Sequence, residues 1–283
     1  MPSYRIAGQA IYVSIPLLEL DSYEITGEEQ EVPASFADSE LNLTCQVTGM
    51  VGGEMRRVEV WSGAFGFLLK VAGGGDVCIP LDGRAILPVD DSRKVTALDR
   101  EILIGPALVL ALALRGVWSL HASAAMFRDC LVVFLGESGQ GKSTLASYLS
   151  DPGDGEWSRV ADDILPMTVH SRVDAWPHFP QLKVSPDAQP GPALPEQIPV
   201  DRICLMMNAE GGQSAGLQLL ERGRAVQVLV GHTAGARLFD PRLLAGHLAF
   251  ASEVVQRIPV YGMIYPRRLA ALADVKKILE TPC

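Results

Sequence analysis

The clearest chemistry in the chain lies in one run, Gly136-Glu137-Ser138-Gly139-Gln140-Gly141-Lys142-Ser143-Thr144. It fits the pattern G-x-x-x-x-G-K-[ST] in full. Glycines let the backbone wrap around phosphate oxygens in conformations closed to larger residues. Successive N–H groups then form an anion nest, and the helix that follows adds its positive N-terminal end. Lys142 brings a full charge to β- and γ-phosphates, and the Ser143 hydroxyl is suited to Mg²⁺. The loop from Gly136 to Thr144 is thus expected to bind ATP or GTP with Mg²⁺. By itself it does not choose between a kinase, a motor ATPase and a switch GTPase.

A second acidic element follows closely in Arg159-Val160-Ala161-Asp162-Asp163. Asp162 comes 20 positions after Lys142 (162 − 142), which leaves room for a helix and a return strand only. Two apolar residues before two carboxylates place the pair at the end of a short strand, the end that faces the ligand crevice in open α/β sheets. Neighbours in an extended segment point in opposite directions. One carboxylate can therefore meet the metal or hold the frame while the other meets the substrate. A carboxylate near a γ-phosphate can orient a hydroxyl and accept its proton. No guanine-reading NKxD motif is present. His121, in Leu120-His121-Ala122-Ser123, precedes the loop by one strand; a half-buried structural histidine and a group near the phosphates are both open. His170, His178, His232 and His247 show no metal-ligand spacing and are expected to be structural or superficial. Lys183, Arg237, Arg267 and Arg268 are candidates for gripping phosphate or a peptide carboxylate.

These residues need elements to position them. Strand–glycine-loop–helix order is predicted by apolar Trp118–Ala125 and Cys130–Leu135, then the loop, then an amphipathic segment Lys142–Leu149. Before it, a helix is expected over Ala97–Arg115. The first hundred residues read as short strands split by glycine turns: Tyr4–Ser14, Leu41–Val51, Arg57–Ser62, Gly66–Val71, Val77–Pro80 and Arg84–Pro88. An acidic stretch, Glu19–Glu31, reads as a solvated loop. Ser185–Val200 carries five prolines, which exclude a helix or a central strand. Strands resume at Arg202–Asn208 and Gly216–Glu221. A helix over Pro241–Gln256 is expected to bury Leu243, Leu244, Leu248 and Ala251, ahead of a strand at Val260–Tyr265 and a final helix near Leu269–Leu279. The fold class is therefore α/β (α+β overall): a β-rich N-terminal domain over 1–96, with a possible role in substrate recognition, and a phosphate-loop domain over 97–283.

Composition sets the outer bounds. The chain has 283 residues, 48% hydrophobic and 20% charged, enough for a sizeable core. Its net charge of −9 gives no general attraction to nucleic acid or anionic membranes. Gly105–Leu114, the most apolar stretch, is about half the length a bilayer requires. Cys45, Cys78, Cys130, Cys204 and Cys283 are odd in number and without a CxxC pair, so free buried thiols, a reducing compartment and a cytoplasmic location are expected.

At His121, the loop Gly136–Ser143 and Val160-Ala161-Asp162-Asp163, the chain resembles the HPr kinase/phosphorylase family. The resemblance implies that Asp162 acts in proton transfer, that Asp163 supports the metal or the frame, and that His121 is the family's histidine before the loop. The N-terminal region and the C-terminal signature for the HPr protein and the phosphorylase reaction do not match. A narrower resemblance is to the HPr-kinase-like enzymes of lasso peptide biosynthesis. It is carried by Tyr4–Leu20, Phe179-Pro180-Gln181-Leu182-Lys183 and Arg237-Leu238-Phe239-Asp240-Pro241. It implies ATP- and Mg²⁺-dependent phosphorylation of a serine hydroxyl, with a precursor peptide or a small carrier protein as acceptor. Similar kinases form rings, so a homo-oligomer is compatible with it. A regulatory kinase/phosphorylase and a nucleotide-dependent binding module without transfer are the alternatives.

Overall fold

A computed structural model describes residues 2–25, 40–90, 92–151, 156–180, 194–209, 213–265 and 268–281. Lys183, Arg267, Cys283, the later part of the acidic stretch and most of the proline-rich segment lie outside the described residues. The fold is mixed α and β, as expected. It divides into two compact units, Met1–Ser119 with Gly235–Gly246, and Leu120–Ala234 with His247–Cys283. The first unit thus runs past residue 96 and takes in the helical stretch after it. Among the described residues no helix is long and apolar enough to cross a membrane.

The first unit is built on one sheet of eight strands, ordered β3-β1-β2-β8-β7-β6-β5-β4. These are β1 (Ser3–Ile6), β2 (Gln9–Val13), β3 (Glu24–Ile25), β4 (Asn42–Val51), β5 (Glu54–Ser62), β6 (Gly66–Val71), β7 (Val77–Pro80) and β8 (Ala85–Pro88). Glycine turns make most of the joins, as the sequence pattern requires, and β2 pairs with β8 in parallel. Helix α1 (Ala97–Ile102) opens on a capping box: the Thr96 hydroxyl accepts from the Asp99 backbone N–H while the Asp99 carboxylate accepts from Thr96. The helical path continues through a wide π turn at Leu103–Ala107, which contains Pro106, into α2 (Leu108–Leu114). One uninterrupted helix was expected; a proline has no N–H to give to the preceding turn, and the wider turn absorbs the loss. Leu108 to Ala113 are all buried, so the most apolar stretch is core.

The second unit holds the other sheet, ordered β13-β12-β11-β9-β10-β14-β16-β15. Its strands are β9 (Trp118–Phe127, entering from the first unit), β10 (Cys130–Leu135), β11 (Trp157–Val169), β12 (Val173–Ala175), β13 (Ile198–Pro199), β14 (Arg202–Asn208), β15 (Gly216–Leu219) and β16 (Val260–Tyr265). Strands β10, β14 and β16 run parallel; β9 is antiparallel to β10. Among the described residues the unit's helices are α3 (Lys142–Leu149), α4 (Arg222–Gly231), α6 (Leu272–Leu279) and, from His247 on, α5 (Pro241–Arg257), whose first turns belong to the first unit. Val132, Phe134, Cys204, Met206 and Met263 from the parallel strands pack with Leu145 and Leu149 of α3 and Leu272, Val275 and Leu279 of α6. The proline-rich segment ends in β13, a two-residue edge strand where Pro199 costs no interior ladder bond.

Further expectations need correction. The apolar face of α5 is misassigned: Leu243 and Ala251 are buried, but Leu244 and Leu248 are 45% and 53% exposed. His247, Phe250 and Val254 take the inward positions instead. Helix α4 and strand β12 were not foreseen. Cys130 is disulfide-bonded rather than free; Cys45, Cys78 and Cys204 are free.

Replacing Thr96 with alanine removes one half of the capping box. The expected loss is about 1 kcal/mol of stability, read as a lower urea midpoint with an unchanged slope; an unchanged midpoint would show that the cap contributes nothing.

Candidate functional site

Strand β10 ends at Leu135 and α3 begins at Lys142, so the six residues between them form the loop. Gly139 and Gly141 have φ of 77° and 92°, a region that a side chain makes costly, and Gly141 caps α3. At Gly136, with φ of 156°, a Cβ would meet the far end of the Gln140 side chain, which would have to swing aside. That side chain braces the loop: Gln140 Oε1 accepts from the Glu137 backbone N–H at 2.8 Å. Lys142 is buried, and its Nζ donates to Gly136 O at 2.7 Å and Glu137 O at 3.3 Å. Burial pushes its pKa down; the carboxylates of Asp163, Glu137 and Asp162 push the other way without cancelling it. Ser143 and Thr144 are exposed at the start of α3.

The two aspartates stand in the middle of β11, not at the end of a short strand as expected. The strand runs on through Ile164 to Val169 because the residues after the pair, Leu165 and Met167 among them, are core. His121 and Ser123 of β9 are two apart and so share a face. They partner the two carboxylates in turn, where alternation predicted opposite directions for the pair. His121 Nδ1 lies 2.8 Å from the Asp163 backbone carbonyl and 3.1 Å from its carboxylate. Both neighbours are acceptors, so Nδ1 carries the proton. The hydrogen bond to Asp163 holds the His121 pKa above the ordinary imidazole value, against the effect of burial and of the Lys142 charge. Asp162 accepts from Ser123 Oγ at 3.0 Å and forms an ion pair with Arg159.

Sequence reasoning missed three members of this cluster. Ser123 was legible, since period two places it beside His121. Arg159 stands in the acidic element itself, three residues before Asp162, where its charge was the only signal; His232 carried none. His232 follows the last residue of α4, and its carbonyl accepts from the His121 backbone N–H at 2.7 Å. Of the predicted substrate cations, Lys183 and Arg267 lie outside the described residues. Arg237 belongs to the first unit, on a short turn Ala236–Leu238, and Arg268 is exposed.

The second unit is thus an α/β layer whose strand–loop–helix corner offers a buried ammonium, a helix N-terminus and a left-handed glycine backbone, a donor set that suits phosphate. Among the described residues no three His, Cys, Asp or Glu side chains gather around a metal position. Ser143 and Asp163 are the oxygen donors expected for Mg²⁺, an ion that uses few protein ligands and leaves the rest to phosphates and water.

No family model and no curated protein matches the chain. Among solved structures it is similar to the Hpr(Ser) kinase/phosphatase from Coxiella burnetii, with 13% identity over 57% of this chain and 93% of that chain, at a TM-score of 0.33. A likeness that slight says nothing about chemistry, which the residues themselves must carry.

The His121–Asp163 pair is open to direct test in metal-free protein. An imidazole raised by a partner adds stability below its ordinary titration range and loses it as pH rises through the raised value. Asp163→Asn is expected to lower the His121 midpoint in an NMR titration. A midpoint that stays in place would show that the carboxylate does not act on the ring.

Proposed function

We propose that the chain is an ATP-dependent kinase that moves a γ-phosphoryl group to a serine hydroxyl. The observation that supports it most is the buried Lys142 ammonium, set within the field of two adjacent carboxylates, one of which orients an imidazole. A protein that only binds nucleotide needs the ammonium but has no use for a proton acceptor. The acceptor proposed is the C-terminal serine of a lasso precursor peptide, which rests on the resemblance of Tyr4–Leu20, Phe179–Lys183 and Arg237–Pro241.

In this reading the serine oxygen forms a bond to the γ-phosphorus as the bond to the β–γ bridging oxygen breaks, and ADP leaves. Lys142 and the loop N–H groups hold the phosphates, and Ser143 would help to hold Mg²⁺, which would supply further positive charge there. The serine proton needs an acceptor. Asp162 was the expected one, but its carboxylate is engaged by Arg159 and Ser123. His121 is better prepared: with Nδ1–H directed at Asp163, Nε2 presents a lone pair, and Asp163 stabilises the imidazolium that forms. Asp163 then orients the ring and Asp162 holds the frame of β9 and β11. Ser143 would then be the side chain left to hold Mg²⁺.

Incubation with Mg-ATP and a candidate precursor peptide is expected to add one phosphate to the peptide's terminal serine, read by mass. Absence of any adduct on the peptide would falsify the acceptor, and absence of any phosphorylated product, with ATP-dependent partner capture instead, would favour the binding module. Lys142→Ala is expected to lose both nucleotide binding and turnover. His121→Gln should keep nucleotide affinity and lose about 100-fold in turnover, the worth of a general base. If Asp162→Asn shows that separation and His121→Gln does not, Asp162 is the base.

A further inference from the structure

We propose that His232 is a further phosphate-contacting residue, one that takes up a proton as the triphosphate binds. This rests on the phosphate-loop reading above and extends it to a residue that no motif marks.

Its place in the fold is the first reason. The turn after α4 is fixed to β9 beside the site: His121 N–H donates to His232 O at 2.7 Å, and Leu120 and Thr233 form an antiparallel bridge. Thr233 Oγ1 donates to Leu229 O at 2.9 Å, so its lone pairs accept from Nε2 of the buried His247 at 2.7 Å. The backbone that carries His232 is therefore held on two sides, by β9 and by α5.

The second reason is what surrounds the imidazole. The antiparallel bridge between Leu120 and Thr233 sets His232 directly opposite His121, so the two side chains share one face, and the charged groups acting on the ring are Glu137 of the loop, Lys142 of α3 and His121 of β9. Burial lowers the pKa of His232 most; Lys142 and His121 lower it further, and Glu137 works against them. The free protein therefore holds a neutral ring beside two basic groups. A bound triphosphate brings several negative charges to the same place. Charges at such separations act strongly where solvent is partly excluded, and here they act in favour of imidazolium. The ring takes one proton from solvent and becomes a second cation on the phosphates, next to Lys142. Nucleotide entry and proton uptake are then one linked event.

The test is calorimetry of a non-hydrolysable ATP analogue with Mg²⁺ at about pH 7, where an imidazole can change charge, in two buffers of different ionisation enthalpy. The wild-type chain is expected to take up a sizeable fraction of a proton per nucleotide. His232→Gln leaves the main-chain bond to His121 in place; it is expected to abolish the uptake and weaken binding about tenfold, the worth of one hydrogen bond to a charged group. NMR titration of the wild-type ring, free and bound, gives a reading that needs no variant: the His232 midpoint moves up with nucleotide. Binding without proton uptake, equal uptake in His232→Gln, or an unmoved midpoint overturns this proposal and leaves the loop reading standing. No nucleotide binding by the wild-type chain overturns both.

Discussion

Burying one ammonium is the constraint around which the second unit is arranged. Lys142 sits at the head of α3 against the apolar end of β10, where an uncompensated charge would be expensive. Carbonyls of Gly136 and Glu137 satisfy it directly. Three carboxylates supply a field of the opposite sign, Asp163 foremost. Each compensation makes a demand on the sequence. Gly139 and Gly141 take conformations a side chain resists, and mid-strand Asp162 is received by Ser123 and Arg159 while Asp163 is received by His121. Loop, sheet register and acidic pair thus answer to one charge.

How much of this was legible in the sequence depended on range. The phosphate loop was, because its physics is local: glycine freedom, consecutive N–H groups and one lysine at fixed spacing. Strands β6, β7, β10, β14 and β16 and helix α3 were bounded correctly for a similar reason, since turn residues flank compact apolar runs. Helix α4 escaped because it opens on Arg222-Gly223-Arg224 and buries only Ala225, Val228 and Leu229. The inward face of α5 was misjudged because leucine outranks histidine on any apolar scale. There the partner decided, with the Thr233 hydroxyl giving His247 a reason to be inside while Leu244 and Leu248 stay out. His232 joins the site through a pairing with β9, which no local pattern encodes, and Arg159 meets Asp162 within β11 at a spacing that an ideal extended strand would not predict.

The two imidazoles beside the loop show how one side-chain type is divided by its neighbours. His121 faces a carboxylate and is pushed toward the charged form; His232 faces burial and two basic groups and is pushed toward the neutral one. They are joined through the backbone by the bond from His121 N to His232 O, so the ring that favours a proton and the ring that refuses one share a scaffold. Environments that separate the titrations of neighbouring groups are what acid–base chemistry at neutral pH requires.

The brace across the loop sets a threshold on what can enter. Gln140 Oε1 holds the Glu137 N–H, and Lys142 holds two loop carbonyls, so part of the loop's donor set is already engaged by its own chain. A visiting anion must replace these bonds with at least as many of its own. A chain of linked phosphates can take over several donors at once. The loop at rest is therefore closed on itself, and its opening is part of the cost of whatever it binds.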